Sequence, residues 1–212
     1  LRLARENAHA VRGTLTTEVW ETLNATWLEV RRFAHARGPE FDPSDFFEWV
    51  KFRSHLARGV IQGTMLRDEA LKFTWLGTYL ERADNTARIL DSKFEPMSPA
   101  TDWDATADYY EWSALLRSVS AFEVYRKVYR DLITPRRVAE LLILRDAMPR
   151  SLLRCLTQVH DTLAVVSNER SGETERRAGE IHASLLYGRI EDVLEVGMHA
   201  WLLQFLDRIA DL

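Results

Sequence analysis

Cysteine is nearly missing from this 212-residue chain: Cys155 stands alone, so no internal disulfide can form. Set within "SLLRCLTQV" on an apolar helical face, it reads as a small buried hydrophobe rather than a nucleophile. No arginine-tipped apolar leader precedes a cleavage site, and with the lone cysteine this gives a cytoplasmic reading. A run of about 18 uncharged apolar residues is also missing, so no membrane span is expected. No segment alternates with period two between Gly/Pro turns, which removes the signal for strands. GxSxG, P-loop and GxGxxG segments are absent, so no cofactor is expected and no familiar catalysis is visible. Metal chemistry has little support. The six histidines are scattered. Glu195 and His199 stand four apart on an expected single helix, but the paired Glu-x-x-His segments of a di-iron carboxylate bundle and the His-Glu-x-x-His pattern are both missing. A formal charge of −4 argues against nucleic acid as a partner through overall charge.

What is present is helical periodicity. With 46% apolar residues the chain can bury a substantial core, and its length suits one domain. The pattern predicts an all-α, multi-helix bundle with helices over 1–12, 15–36, 43–63, 68–95, 105–131, 135–144, 149–167, 173–187 and 190–211. Asp42-Pro43, Thr134-Pro135 and Met148-Pro149 each place proline at an expected first helical position, where its missing N–H costs nothing. "GPEFDP", "KFEPMSPATDWD" and "NERSGETERR" are the breaks. The chain opens "LRLARENAHAVRG", without methionine and already in helical pattern, which reads as part of a longer protein. "SDFFEWVKFRS" at 44–54 and "ADYYEWSALLRS" at 107–118 share an acid, two aromatics, Glu-Trp and Arg-Ser in order. That match predicts internal duplication, with halves 1–97 and 98–212.

The segment "WLGTYLERADNTARILD", residues 75–91, holds the main candidate site. At about 100° per residue, Phe73, Leu76, Leu80, Ala83, Ala87, Leu90 and Phe94 form one apolar seam. Glu81, Asn85 and Arg88 fall opposite it with Thr74, Thr78 and Ser92, while Trp75, Tyr79 and Arg82 turn to a third side. Threonine, asparagine and serine are weak helix formers, so the polar face reads as a groove where a second helix approaches and shields Glu81 and Arg88 from water. Such a cluster is either a satisfied packing network or a ligand groove. A second candidate lies in 117–154, with nine Lys/Arg against four Asp/Glu. There "TPRR" and "MPRS" put Arg136, Arg137 and Arg150 at expected helix starts, a setting suited to an anion, or to pairing with neighbouring acids.

"YLERADNTARILD" resembles the signature of the bacterial alpha-E family, predicted helical proteins named for their Glu-Arg motif. "RENAHAVRGTLTTEVWETLNATW", "FFEWVKFRSHLARGVIQGTMLRDEA", "YYEWSALLRSVSAFEVYRKVYRD", "TPRRVAELLILRDAMPRSL" and "LYGRIEDVLEVGMHAWLLQFL" resemble that family in the same order along the whole chain. Members usually begin earlier, with a first Glu-Arg-acid-Asn helix that this chain lacks. Carried over, the motif residues are Glu81, Arg82, Asn85 and Arg88, with Arg136, Arg137 and Arg150 in the Pro-Arg segments. The family's genes accompany ATP-grasp ligase-like and transglutaminase- or peptidase-like proteins, which implies a part in forming or modifying amide bonds. The resulting expectation is a noncatalytic helical partner or scaffold of such a system. The alternative is an enzyme or small-molecule binder whose Glu/Arg groove recognises the carboxylate or phosphate of an anionic molecule or peptide, with Glu81 as the acid-base group.

Overall fold

The computed structural model describes residues 1–35, 42–94, 105–168 and 172–212, without the side chains of 32, 34, 35 and 105–108. Among these residues there are eleven α-helices, one 3-10 turn and no strand, so the all-α expectation holds. The chain divides into two compact units, Leu1–Phe73 and Thr74–Leu212.

The first unit contains α1 (Arg2–Ala10), the 3-10 turn Arg12–Thr14, α2 (Thr17–His35), α3 (Pro43–Thr64) and the opening of α4 (Glu69–Phe94). Asp42 caps α3 by accepting the Ser44 N–H at 2.8 Å, with Pro43 at the first turn, as its sequence predicts. Helices α2 and α3 meet through polar groups. Arg53 donates to Thr26 Oγ1 at 2.8 Å and to the Thr22 carbonyl at 2.9 Å, while Trp49 Nε1 donates to Glu29 at 2.9 Å.

The second unit carries the main core. Its helices after α4 are α5 (Ala105–Ser118), α6 (Phe122–Tyr129), α7 (Pro135–Leu144), α8 (Leu152–Val166), α9 (Gly172–Leu186), α10 (Ile190–Val196) and α11 (Met198–Ala210). Leu141, Leu142 and Ile143 of α7 and Leu152, Cys155 and Leu156 of α8 are fully buried. Around them pack Leu76, Ala83, Ala87 and Leu90 of α4, Trp112 and Leu116 of α5, and Leu202 of α11. The α4 seam therefore matches its periodicity, except that Phe73 is exposed and Leu80 and Phe94 are half-buried.

Two expected helices are broken. The segment 105–131 turns at Ser120, whose φ is +56°. The Ala121 N–H reaches the Leu116 carbonyl at 2.7 Å and the Ser120 N–H the Arg117 carbonyl at 3.0 Å. This is a Schellman termination, with serine in the left-handed position that glycine usually takes. The segment 190–211 breaks at Gly197, with φ +90° and ψ 126°. Glu195 and His199 therefore lie on different helices, and His199 Nδ1 contacts Asp91 at 2.7 Å.

The duplication finds no support. Trp112 is 1% exposed in the core, whereas its counterpart Trp49 is half-buried and hydrogen-bonded to Glu29. The break "KFEPMSPATDWD" lies mostly outside the described residues.

Candidate functional site

Glu81, Asn85 and Arg88 share a face, but that face is exposed, which corrects the expected shielded groove. The side chains of Glu81 and Asn85 make no hydrogen bond or ion pair with any described residue. Arg88 turns to Asp84 one helical turn back, donating at 2.8 and 3.0 Å. The pairing of Glu81 with Arg88 does not form, because Asp84 meets the guanidinium first at the favourable i, i+4 spacing.

Arg82 points elsewhere. It is half-buried, stacks over the Tyr79 ring with 5.3 Å to the centroid, and donates to the Pro149 carbonyl at 3.3 Å. Tyr79 and Arg82 form one wall of a cavity of about 380 Å³ completed by Asp146, Ala147, Pro149 and Arg154. The far wall is the connection from α7 to α8, folded as consecutive turns in which the Met148 N–H bonds Arg145 O and the Ser151 N–H bonds Met148 O, both at 3.0 Å. Ser151 then caps α8 by accepting the Arg154 N–H at 3.0 Å. Pro149 is thus two residues ahead of the cap, and Arg150 belongs to a turn instead of the expected first helical turn. Arg154 sits inside α8, with its guanidinium 3.5 Å from Asp146.

Two of these side chains, Arg82 and Arg154, also lie near the buried Cys155. Arg82, Arg150 and Arg154 all act to lower the pKa of Cys155, yet burial dominates and pushes the thiol up to about 11. A buried, protonated thiol is a poor nucleophile. Native protein is expected to leave Cys155 unmodified by a disulfide reagent at pH 8, with stoichiometric reaction on unfolding. Rapid labelling of the native state would contradict this placement.

The remaining predicted arginines go to other partners. Arg136 forms an ion pair with Glu191, and Arg137 pairs with Asp131 at 2.5 Å. Arg137 holds the Asp131 carboxyl below the usual carboxylate range. Glu191 is lowered first by its own backbone N–H and then by Arg136. The approach to α7 is positioned by Tyr125, fully buried, whose hydroxyl donates to Leu132 O at 2.7 Å and accepts the Thr134 N–H at 3.2 Å. Arg136 lines a separate cleft with Glu140, Arg145, Arg189 and Glu191. Thus the structure sends Arg136 and Arg137 to acids, and neither lines the cavity beside Arg82.

Among the described residues no group of three or more histidine, cysteine or acidic side chains could hold a metal ion. No helix formed by described residues is long and apolar enough to cross a membrane. Sequence reasoning missed Asp146 and Arg154. For Arg154 a signal existed, since it follows Arg150 by four residues in a segment already marked as basic.

Comparison with known families identifies the domain. A family model described as Alpha-E, a predicted alpha-helical domain with a conserved ER motif, matches residues 1–212. No curated protein and no solved structure matches the chain. The sequence contains three Glu-Arg dipeptides, at 81–82, 169–170 and 175–176. The second lies outside the described residues, and Arg176 of the third pairs with Glu173 and Glu180 within its own helix. Arg82, by contrast, joins α4 to the turn before α8. The chain belongs to the Alpha-E family.

Proposed function

We propose that the protein is a noncatalytic helical binding partner in an amide-ligation or peptide-modification system, and that it holds an anionic group in the cavity beside Arg82. The carrying observation is that Arg82 and Arg154 line one cavity whose lining has a single carboxylate, Asp146. Guanidinium groups suit carboxylates and phosphates because their planar donor fork can bond two oxygens at once. The link to ATP-grasp-like and transglutaminase-like proteins rests on the family resemblance. It makes the carboxylate or phosphate of a peptide or small molecule the fitting ligand class.

Catalysis with Glu81 as acid-base group gains nothing from the geometry. Glu81 is exposed and does not line the cavity. Adjacent helical residues diverge by about 100°, so Glu81 and Arg82 address different surroundings.

Thermal-shift measurements with phosphate and acetate at low ionic strength test the binding role. A saturable rise in melting temperature is expected, and the double variant Arg82→Gln/Arg154→Gln should lose it while keeping the helical circular-dichroism spectrum. Co-purification with the ATP-grasp-like protein tests the partner role. No saturable anion effect would overturn the cavity's role, and failure to recover the ligase with the full-length protein would overturn the partnership.

A further inference from the structure

The charge pattern of the Arg82 cavity narrows its ligand class. Two guanidiniums, Arg82 and Arg154, line it together with one carboxylate, Asp146, and one aromatic ring, Tyr79. An inorganic phosphate or a dicarboxylate would bring its negative charge against Asp146 in the same small space. A simple cation would meet two arginines there.

We infer that the cavity takes a small zwitterion carrying an ammonium and a carboxylate on one carbon, as in a free α-amino acid. The inference rests on the anion-binding reading above and deepens it. Arg82 and Arg154 receive the ligand carboxylate, Asp146 receives the ammonium, and the Tyr79 face borders the ligand side chain. Asp146 and Arg154 stand 3.5 Å apart, longer than the roughly 2.7–2.9 Å of a charge-assisted hydrogen bond. They are adjacent but not locked together, and an exposed pair of this kind opens at little cost. An α-amino acid presents complementary charges at nearly the same separation, so one ligand replaces one loose ion pair by two ligand contacts. At about 380 Å³ the cavity lies near the small end of ligand pockets, roughly 300–1,000 Å³, which suits a compact metabolite.

Binding of L-alanine and of propionate, which lacks the amine, to the whole chain by calorimetry or NMR titration tests this. Alanine is expected to bind roughly ten-fold more tightly, the scale of one charged hydrogen bond. Asp146→Asn should remove that preference by weakening alanine alone, and Arg154→Gln should weaken both ligands. Both side chains are substantially exposed, and an unchanged melting temperature for each variant confirms that the fold is kept. Equal affinities in the wild type, or a preference that survives Asp146→Asn, would overturn the zwitterion and leave the anion site standing. If neither alanine, propionate nor phosphate binds, the anion site itself falls and the zwitterion with it.

Discussion

Replacing Trp112 by alanine is expected to lower the unfolding free energy by about 3–5 kcal/mol, the range for removing a fully buried aromatic side chain. Trp112 is 1% exposed, lies in the core of the second unit and packs against Phe94 with ring centroids 5.1 Å apart. Its indole N–H adds a second layer, because Nε1 is buried without a hydrogen-bond partner among the described residues. Leaving such a donor unmade already costs roughly 1–3 kcal/mol in the native state. Trp112→Phe should therefore cost clearly less than its lost volume suggests, since it deletes the unmet donor together with part of the ring. Trp49→Ala provides the contrast. Its ring is half-buried and tied to Glu29, so a loss nearer the ordinary range of about 0.5–3 kcal/mol follows. Chemical denaturation of the three variants, monitored by circular dichroism, measures these differences. Equal losses at Trp49 and Trp112 would mean that the two similar segments occupy equivalent positions, contrary to their observed surroundings.

That contrast shows what patterning carries and what it leaves out. The seam Leu76, Ala83, Ala87 and Leu90 was legible because burial on one side of a helix imposes a 3.6-residue period on the sequence itself. Pro43 and Pro135 marked helix starts for an equally local reason. The paired aromatics at 44–54 and 107–118 suggested common ancestry, but order along a helix does not specify what the helix packs against. The turn at Ser120 has no local signal, because a Schellman turn with serine lacks the glycine that would announce it. The site divided in the same way. The helical period puts Tyr79 and Arg82 on a side of their own, where the structure has them, whereas it suggests a groove at Glu81, Asn85 and Arg88, which face water. Periodicity sorts residues by angle and cannot say which polar side meets another element. Arg82 finds Pro149 across 67 positions of chain, a contact that no local pattern encodes.

Gly197→Ala and Gly179→Ala should change stability in opposite directions although both add one methyl group. Gly179 lies inside α9, and a Cβ there would meet nothing within 4 Å. Alanine should stabilise the protein by about 0.5–1 kcal/mol, because it loses less backbone freedom on entering a helix. A Cβ at Gly197 would also find open space, but the backbone there has φ +90°. Side-chain-bearing residues occupy that region only under strain, at a cost of order 1–3 kcal/mol. Local propensity alone would predict the reverse at Gly197, because alanine favours joining α10 and α11 into the single helix expected from sequence. Tertiary packing opposes that fusion. Ile190 and Val193 before the break are buried, as are Met198, Leu202 and Phe205 after it, and His199 is held at Asp91. Straightening the backbone would redirect one set away from the core, so the strain at residue 197 should be the smaller cost. Denaturant midpoints of the two variants, at unchanged slope, decide the matter: a stabilised Gly197→Ala would show that the break is not imposed by packing.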